Sequence, residues 1–544
     1  MRSRQARWGG RLAAPLLGAP LALAFPRPGW WWLALVGLVP VLLLAMAAPS
    51  GGEAAVRAWL GGTGFFLAVN AFLFPTVGPF MVPLAMLLAV TWLPVGWLAW
   101  ALLGGAAEPH PPVPGAPTGR VTQPRNAGAG LSTAPTPGRL AAALVLVPRA
   151  FVAGEALRSW EGLGGPWGLL GASQWNAPAL LSVAALGGVW GLSFLLVAVN
   201  VAVAAAVGRG APGPTRATAA VAAAALPLAA LAFWSLRPAP APAGTVRVAF
   251  VQPGVVGPVE ERFRASERLS RALPADARPD LVVWGESSVG RDPAANPGDV
   301  ARLTGTAQAA GAPVLANVDA RREAGGGGIY KSALLVGESG ILGSYDKMRL
   351  VPFGEYVPLR PLLGWVTRLT DAAAVDRHRG ARLAVLGAGE LSVGPLVCFE
   401  SAFPDLTRNL AAQGADLVVV QTADTTFQGS WGLDQHASLS AVRAVESGRP
   451  VLQAALSGTS AAFDARGRRL AWAPGDWRGA AVVELPLSAE PTPYVRAGDL
   501  VPAACGVALA AGAVVAARGR RVRRDGSGRR TGSTPRSMPA RPRP

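Results

Sequence analysis

Residues Gly394-Pro-Leu-Val-Cys-Phe-Glu-Ser401 decide how this chain is read. The apolar run up to Val397 has the length and bulk of a buried strand, and Cys398 closes it before a polar Glu400-Ser401 turn. Layered α/β folds place reactive groups at the ends of sheet strands, and a thiol beside a carboxylate is a candidate nucleophile. The plainer alternative is a small core residue. What surrounds the stretch decides between them. Cys398 is one of only 2 cysteines, too few for a disulfide framework. The other, Cys505, lies in a late apolar segment and reads as a packing residue.

Outward from Cys398, residues 245–490 alternate two kinds of segment. Strand-like runs fall at 246–251, 281–284, 313–318, 332–336, 391–397 and 417–421, and helix-like stretches at 259–273, 406–412 and 436–447. Such alternation predicts a layered α/β domain. A Pro/Ala linker at 238–243 precedes it, and everything upstream is different in kind. Apolar segments at 9–25, 29–48, 56–76, 79–104, 139–157, 178–207 and 215–235 approach the ~20 residues a membrane-crossing helix needs. An eighth lies at 500–517. The first follows a basic start, as a secretory signal would, but it has no small-residue cleavage site and more spans follow, so it reads as retained. Residues 105–138, rich in Pro, Gly, Thr and Ser, read as a flexible loop. The expected division is a membrane domain over 1–237 with about seven helices, an α/β domain over 245–490, a last membrane helix over 498–517 and a disordered basic tail over 518–544.

Composition agrees with lipid embedding. Only 15% of the 544 residues are charged and 51% are apolar, against about 25% charged in soluble proteins. The net charge of +18 first suggests nucleic acid. Its location argues otherwise: it gathers in the tail (Arg518, Arg520, Arg521, Arg523, Arg524, Arg529 and Arg530 among others) and at the start (Arg2, Arg4, Arg7, Arg11), with no aromatic-rich nucleic-acid motif. Basic residues flanking spans mark the cytoplasmic side. With eight spans both termini face the cytoplasm, and the α/β domain is expected outside it. The three histidines (His110, His378, His436) have no metal-site spacing, no nucleotide-binding glycine loop is evident, and no cofactor is expected.

Three segments of the α/β domain carry chemistry-bearing residues. They are Leu281-Val-Val-Trp-Gly-Glu286-Ser-Ser, the block Tyr345-Asp-Lys347-Met-Arg-Leu-Val-Pro-Phe-Gly-Glu355-Tyr-Val-Pro358, and the Cys398 segment. Together they resemble the Glu, Lys and Cys motifs of the nitrilase superfamily of carbon–nitrogen hydrolases. The long 347–358 block, flanked by membrane spans, is similar to that of the apolipoprotein N-acyltransferase family of the bacterial inner membrane. The resemblance implies an α-β-β-α sandwich and assigns Cys398 as nucleophile, Glu286 as base and Lys347 as oxyanion partner. It also gives Glu355 as a second active-site acid, orienting Lys347 or helping proton transfer, and Glu400 as support. A membrane phospholipid is the implied acyl donor and the α-amine of a diacylglyceryl-cysteine in an apolipoprotein the acceptor, with the enzyme a monomer by default. A thiol needs such help, because with a pKa near 8.5 it is mostly protonated at neutral pH.

Secondary positions follow. Glu155 and Arg158, near the end of the fifth span, suggest a headgroup contact or a mutual ion pair. Pro166-Trp167 and Ser173-Gln174-Trp175 fit an aromatic-polar loop of the family, or interfacial anchors. Met348, Leu350, Val351 and Phe353 fit an apolar rim for acyl chains, or core. Thr422-Ala423-Asp424-Thr425-Thr426-Phe427-Gln428-Gly429 departs from the family's Asn-Asp-Ala-Trp-Phe-Gly type of run. His436 and Arg443, Glu446 and Arg449 match the helix after it and read as structural support. Two rival functions remain at this level: a membrane-tethered amidase that passes the acyl group to water, and a non-catalytic membrane scaffold or transporter.

Overall fold

Unbroken runs of Val, Leu and Ala make strands that are buried on both faces. The computed structural model describes residues 2–104, 135–208, 211–238, 240–322, 328–368, 373, 375–427, 429–512 and 514. Among them, twelve strands follow the linker: β1 (Pro242–Gln252), β2 (Leu281–Trp284), β3 (Val314–Arg321), β4 (Ile329–Gly337), β5 (Gly340–Asp346), β6 (Leu386–Ala388), β7 (Leu391–Val397), β8 (Leu417–Thr422), β9 (Val451–Ala455), β10 (Ser460–Phe463), β11 (Arg469–Ala473) and β12 (Gly479–Ser488). They form two six-stranded sheets, ordered β12-β1-β2-β3-β4-β5 and β11-β10-β9-β8-β7-β6. In each sheet three strands run parallel, β1-β2-β3 and β7-β8-β9, and the flanking strands pair antiparallel.

Side-chain alternation sets the layers. Val248, Phe250, Leu281, Val283 and Leu335 of the first sheet meet Val393, Val397, Leu417, Val419 and Leu452 of the second. Their neighbours Ala249, Val251, Val282 and Trp284 point the other way, onto Phe263, Leu303 and Ala307 of helices Val259–Arg271 and Pro297–Ala310. On the far side, Val418 and Val420 share one continuous core with helices Pro404–Ala412 and Gly432–Ser447 and with the membrane helices. The result is the expected α-β-β-α sandwich, with one outer helix layer pressed against the N-terminal helices. Helix Gly432–Ser447 is buried along its whole length because strands β9 and β10 cover one side and helix Ala184–Val207 the other.

Among the described residues, four helices are long and apolar enough to cross a membrane: Ala71–Leu103, Pro137–Arg158, Ala184–Val207 and Gly213–Leu236. Trp31–Met46 and Leu500–Gly512 are apolar but shorter. The remaining two expected segments differ. The first, 9–25, is helix Arg2–Gly18 running into a 3-10 turn, Ala19–Ala24. The segment expected at 56–76 starts at Gly51 and ends at Val69. Its first turns hold Glu53, which pairs with Arg11 at 2.7 Å and Arg57 at 3.2 Å, and this buried charge masked the helix start in the sequence. The break expected between 76 and 79 lies instead at Asn70, because Pro75 and Pro79 open short turns rather than end a helix. Most of the 105–138 loop and all of the 518–544 tail lie outside the described residues.

Candidate active site

Strands β2 and β7 deliver their last residues to the same end of the sandwich, and backbone contact between the sheets holds them there. Thr422 C=O accepts the N–H groups of Glu286 (3.0 Å) and Leu456 (2.8 Å). This approach requires a glycine after β2: a Cβ on Gly285 would stand 1.9 Å from the Leu456 nitrogen. Buried Gln421, at the end of β8, donates to the carbonyls of Trp284 (2.9 Å) and Leu315 (3.0 Å) and accepts from Asn317 (3.2 Å). Asn317 in turn accepts the Ser287 N–H at 2.9 Å. Two residues at this junction have left-handed backbone, Ser287 (φ 56°) and Cys398 (φ 52°). Such a conformation costs a non-glycine residue about 1–2 kcal/mol, and it turns the Cys398 side chain off the end of its strand at a functional site.

Four charged side chains meet beside the thiol. Lys347 Nζ donates to Glu355 Oε1 at 2.8 Å and reaches Glu286 Oε1 at 3.4 Å. Lys331 Nζ does the reverse, 2.7 Å to Glu286 Oε1 and 3.4 Å to Glu355 Oε1. The Cys398 thiol lies close enough for Glu286 and Lys347 both to act on its ionisation. Glu355 is fixed from its other oxygen, which accepts the Val351 N–H at 2.9 Å. Burial disfavours the Glu286 carboxylate, but the ammonium groups of Lys331 and Lys347 outweigh it and hold its pKa at about 2. Burial likewise works against Lys347, and Glu355 and Glu286 overcome it, so its pKa lies well above the ordinary lysine value. Burial pushes the Cys398 thiol well up, Glu286 pushes it further, and Lys347 opposes both. The resting site is therefore a neutral thiol facing an ionised carboxylate and a fixed cation.

Beneath the nucleophile, Glu400 acts as a clamp. Its Oε1 accepts from Tyr345 Oη (2.7 Å) and the N–H groups of Met348 (2.7 Å) and Arg349 (3.0 Å), and its Oε2 accepts the Val397 N–H at 2.8 Å. One buried carboxylate thus ties the Lys347 loop to the Cys398 turn. Burial pushes its pKa up, against the hydrogen bond from Tyr345. On the other side His436 Nδ1 donates to Asp424 Oδ1 at 2.8 Å, and Nε2 lies 3.1 Å from the Cys398 carbonyl and 3.0 Å from Ser401 Oγ. Burial lowers the imidazole pKa, Asp424 raises it, and the balance is upward, consistent with both ring nitrogens donating. A sulfur, a carboxylate oxygen and a ring nitrogen from Cys398, Asp424 and His436 lie within 4.8 Å of one another. With both ring nitrogens engaged, this trio is a hydrogen-bonded support for the nucleophile's turn rather than a ligand set.

All five expected site residues, Glu286, Lys347, Cys398, Glu355 and Glu400, come together. Three participants were missed: Lys331, Gln421 and the Asp424–His436 pair as a direct partner of Cys398. For Lys331 the signal was a lysine in a run that continues as apolar strand. The secondary positions resolve variously. Glu155 and Arg158 form an ion pair at 3.4 Å that clamps a loop, with Glu155 accepting Leu170 N–H (2.7 Å) and Arg158 donating to the carbonyls of Trp167 (2.6 Å) and Gly168 (2.9 Å). Trp167 donates to Gln435 at 3.1 Å and packs on Phe72 and His436, so it lines the site. Trp175 is no interfacial anchor: it is buried against Trp472 and Phe463. Of the apolar rim, Leu350 is core, Met348 and Val351 are half-buried and Phe353 is exposed. In the altered 422–429 run, Asp424 holds His436 and Phe427 packs edge-on against Phe72 at 5.1 Å; Gln428 lies outside the described residues.

Comparison with known proteins follows the same division of the chain. Residues 17–202 match the family model of the apolipoprotein N-acyltransferase N-terminal domain, and residues 247–491 match that of carbon-nitrogen hydrolase. An apolipoprotein N-acyltransferase of Azotobacter vinelandii is 31% identical over 524 residues, covering 90% of this chain and 92% of the relative. One from Geobacter metallireducens is 31% identical over 392 residues, covering 69% and 74%. Another, from Pseudomonas syringae pv. tomato, is 29% identical over 504 residues, covering 90% and 93%.

Proposed function

This chain belongs to the apolipoprotein N-acyltransferase family, and on that premise we propose that Cys398 carries an acyl chain as a thioester between two lipid-anchored substrates. It is an acyltransferase of lipoprotein maturation. The nitrilase-type amidase alternative corresponds to the fold superfamily of its catalytic half. In the first half-reaction Cys398 Sγ attacks the ester carbonyl of a membrane phospholipid while Glu286 takes the thiol proton. Glu286 is a weak base with its pKa at about 2 and the thiol is a weak acid, so the proton does not leave in advance of attack. Negative charge passes instead to the carbonyl oxygen, where the Lys347 ammonium stabilises it in a low-dielectric site. Collapse expels the lysophospholipid alkoxide, which takes the proton back from Glu286. In the second half-reaction the α-amine of a diacylglyceryl-cysteine attacks the thioester, Glu286 accepts an amine proton, and the thiolate leaves to be reprotonated. The product is an amide. Glu355 orients Lys347, and Glu400 fixes the loop that carries it.

The membrane arrangement that suits this chemistry has eight spans, both termini cytoplasmic and the catalytic domain outside the inner membrane. The basic residues at both ends of the sequence support it. The units are 1–237, 245–490, 498–517 and 518–544, and one chain supplies every charged group of the site, so a monomer suffices. The observation that carries this reading is the meeting of the Cys398 thiol, the Glu286 carboxylate and the Lys347 ammonium at the joined ends of two sheets. The test is transfer by the purified full chain in detergent from a labelled phospholipid to a synthetic diacylated lipopeptide. The native protein yields an N-acylated peptide and Cys398→Ala yields none; full transfer by Cys398→Ala refutes the mechanism.

A further inference from the structure

The cation nearest the proposed base is not Lys347. Lys331 Nζ lies 2.7 Å from Glu286 Oε1, against 3.4 Å for Lys347. The two lysines sit side by side because the Lys347 N–H donates to the Lys331 carbonyl at 2.8 Å, which extends the pairing of β4 with β5. Each lysine has one close glutamate and one distant one, and all four contacts use the same two oxygens, Glu286 Oε1 and Glu355 Oε1. From β3, Asp319 lies 3.7 Å from Lys331 and is itself paired with Arg377 at 3.4 Å. Three carboxylates thus face three cations. When Glu286 accepts a proton, one positive charge is left in excess beside the sulfur.

We propose that Lys331 is a positioning residue of the reaction, holding the Glu286 carboxylate against the Cys398 thiol through its 2.7 Å contact. This rests on the reading of Glu286 as the base. As the nearer ammonium, Lys331 does more than Lys347 to hold the Glu286 pKa down and so to keep the carboxylate ionised in acid. The other titratable and charged groups facing this point are Asp319 on β3, Arg377 paired with it, Lys347 and Glu355 beyond β5, Cys398 after β7, Asp424 after β8 and His436 on helix Gly432–Ser447. Variants at Lys331 leave all of them in place, and a change due to His436 appears equally in the native protein.

The test is the rate of Cys398 alkylation by iodoacetamide on the full chain in detergent, read by mass from the Cys398 peptide between pH 4 and 9. In the native protein Glu286 stays ionised over this range. In Lys331→Gln its pKa returns to the ordinary carboxylate value of about 4.3, so alkylation falls about threefold relative to native as pH drops from 6 to 4. Lys331→Met, which keeps the packing of the side-chain stem, must show the same fall should Lys331→Gln not fold. Lys331→Arg, which keeps the charge, must restore the native profile. A native profile in the two neutral variants, or the same fall in Lys331→Arg, overturns the proposal. Glu286→Gln separates it from its premise: if that variant is alkylated as fast as the native protein, Glu286 is not the base, whereas loss of rate there with an unchanged Lys331→Gln profile defeats only the role of Lys331.

Discussion

Two of the buried charge clusters in this molecule are built to opposite ends. Near the end of helix Pro137–Arg158, Glu155 and Arg158 face each other and hold main-chain groups of the 167–170 loop. At the joined ends of the two sheets, Glu286, Lys331, Lys347 and Glu355 face one another and a thiol. The first arrangement closes on a rigid backbone, so its charges fix a loop. The second includes a proton donor that can change its state, so its charges set an equilibrium. A buried ion pair is therefore structural or chemical according to what completes it, and its burial alone does not distinguish the two.

Breaking the comparison at the chemical site gives the largest effect. Glu286→Gln removes the base while keeping the shape, and the rate of thioester formation should fall about 10²–10⁴-fold, the usual worth of a positioned acid–base group. Pre-steady-state acylation by a labelled phospholipid reads it, and a change under threefold would mean that the carboxylate is not the base. At the structural pair, Glu155→Gln leaves Arg158 buried without its counter-charge. The expected loss is about 3–5 kcal/mol of stability, seen as a lower thermal midpoint in detergent, with the pH profile of Cys398 alkylation unmoved. If that profile shifts instead, the two regions are not the separate devices described. Gln421→Leu sharpens the boundary between them. It strands the Trp284 and Leu315 carbonyls and the Asn317 amide, at about 1–3 kcal/mol for a buried group left unpaired. Because Gln421 ties the strand that ends at Glu286, it should lower both the midpoint and the acylation rate.

The legible parts of the fold are those whose residues face one kind of neighbour. Strands Leu281–Trp284 and Leu391–Val397 are apolar on both faces and ended by polar turns, and the sequence delimits them to the residue. Strands β5, β6, β9, β10, β11 and β12 went unread: Gly340–Asp346 is half exposed, and Val451–Ala455 and Ser460–Phe463 are short pieces after a Pro or a Ser-Gly turn. At the site, the three motifs lie where resemblance put Glu286, Lys347 and Cys398. Lys331 escaped because the strand reading began at Ser332 and a lysine there reads as a boundary, although backbone pairing carries β4 on to Ile329. Gln421 escaped for a similar reason, since one amide after Leu417–Val420 looks like the end of a strand. Only the approach of the second sheet, invisible in a linear pattern, gives that amide its partners. For Trp175 the sequence left an aromatic-polar loop and an interfacial anchor both open, and the packing of Phe463 and Trp472 on it excludes the anchor.

The central claim is that Cys398 holds the acyl chain between donor and acceptor, and it is tested most directly by trapping that state. The full-length protein is mixed with acyl-labelled phospholipid and no acceptor, quenched in acid, and the Cys398 peptide is weighed before and after neutral hydroxylamine. The account predicts one acyl mass on Cys398, released by hydroxylamine and discharged as amide when a diacylated lipopeptide is added. A peptide without acyl mass from a preparation that still transfers acyl chains would contradict it.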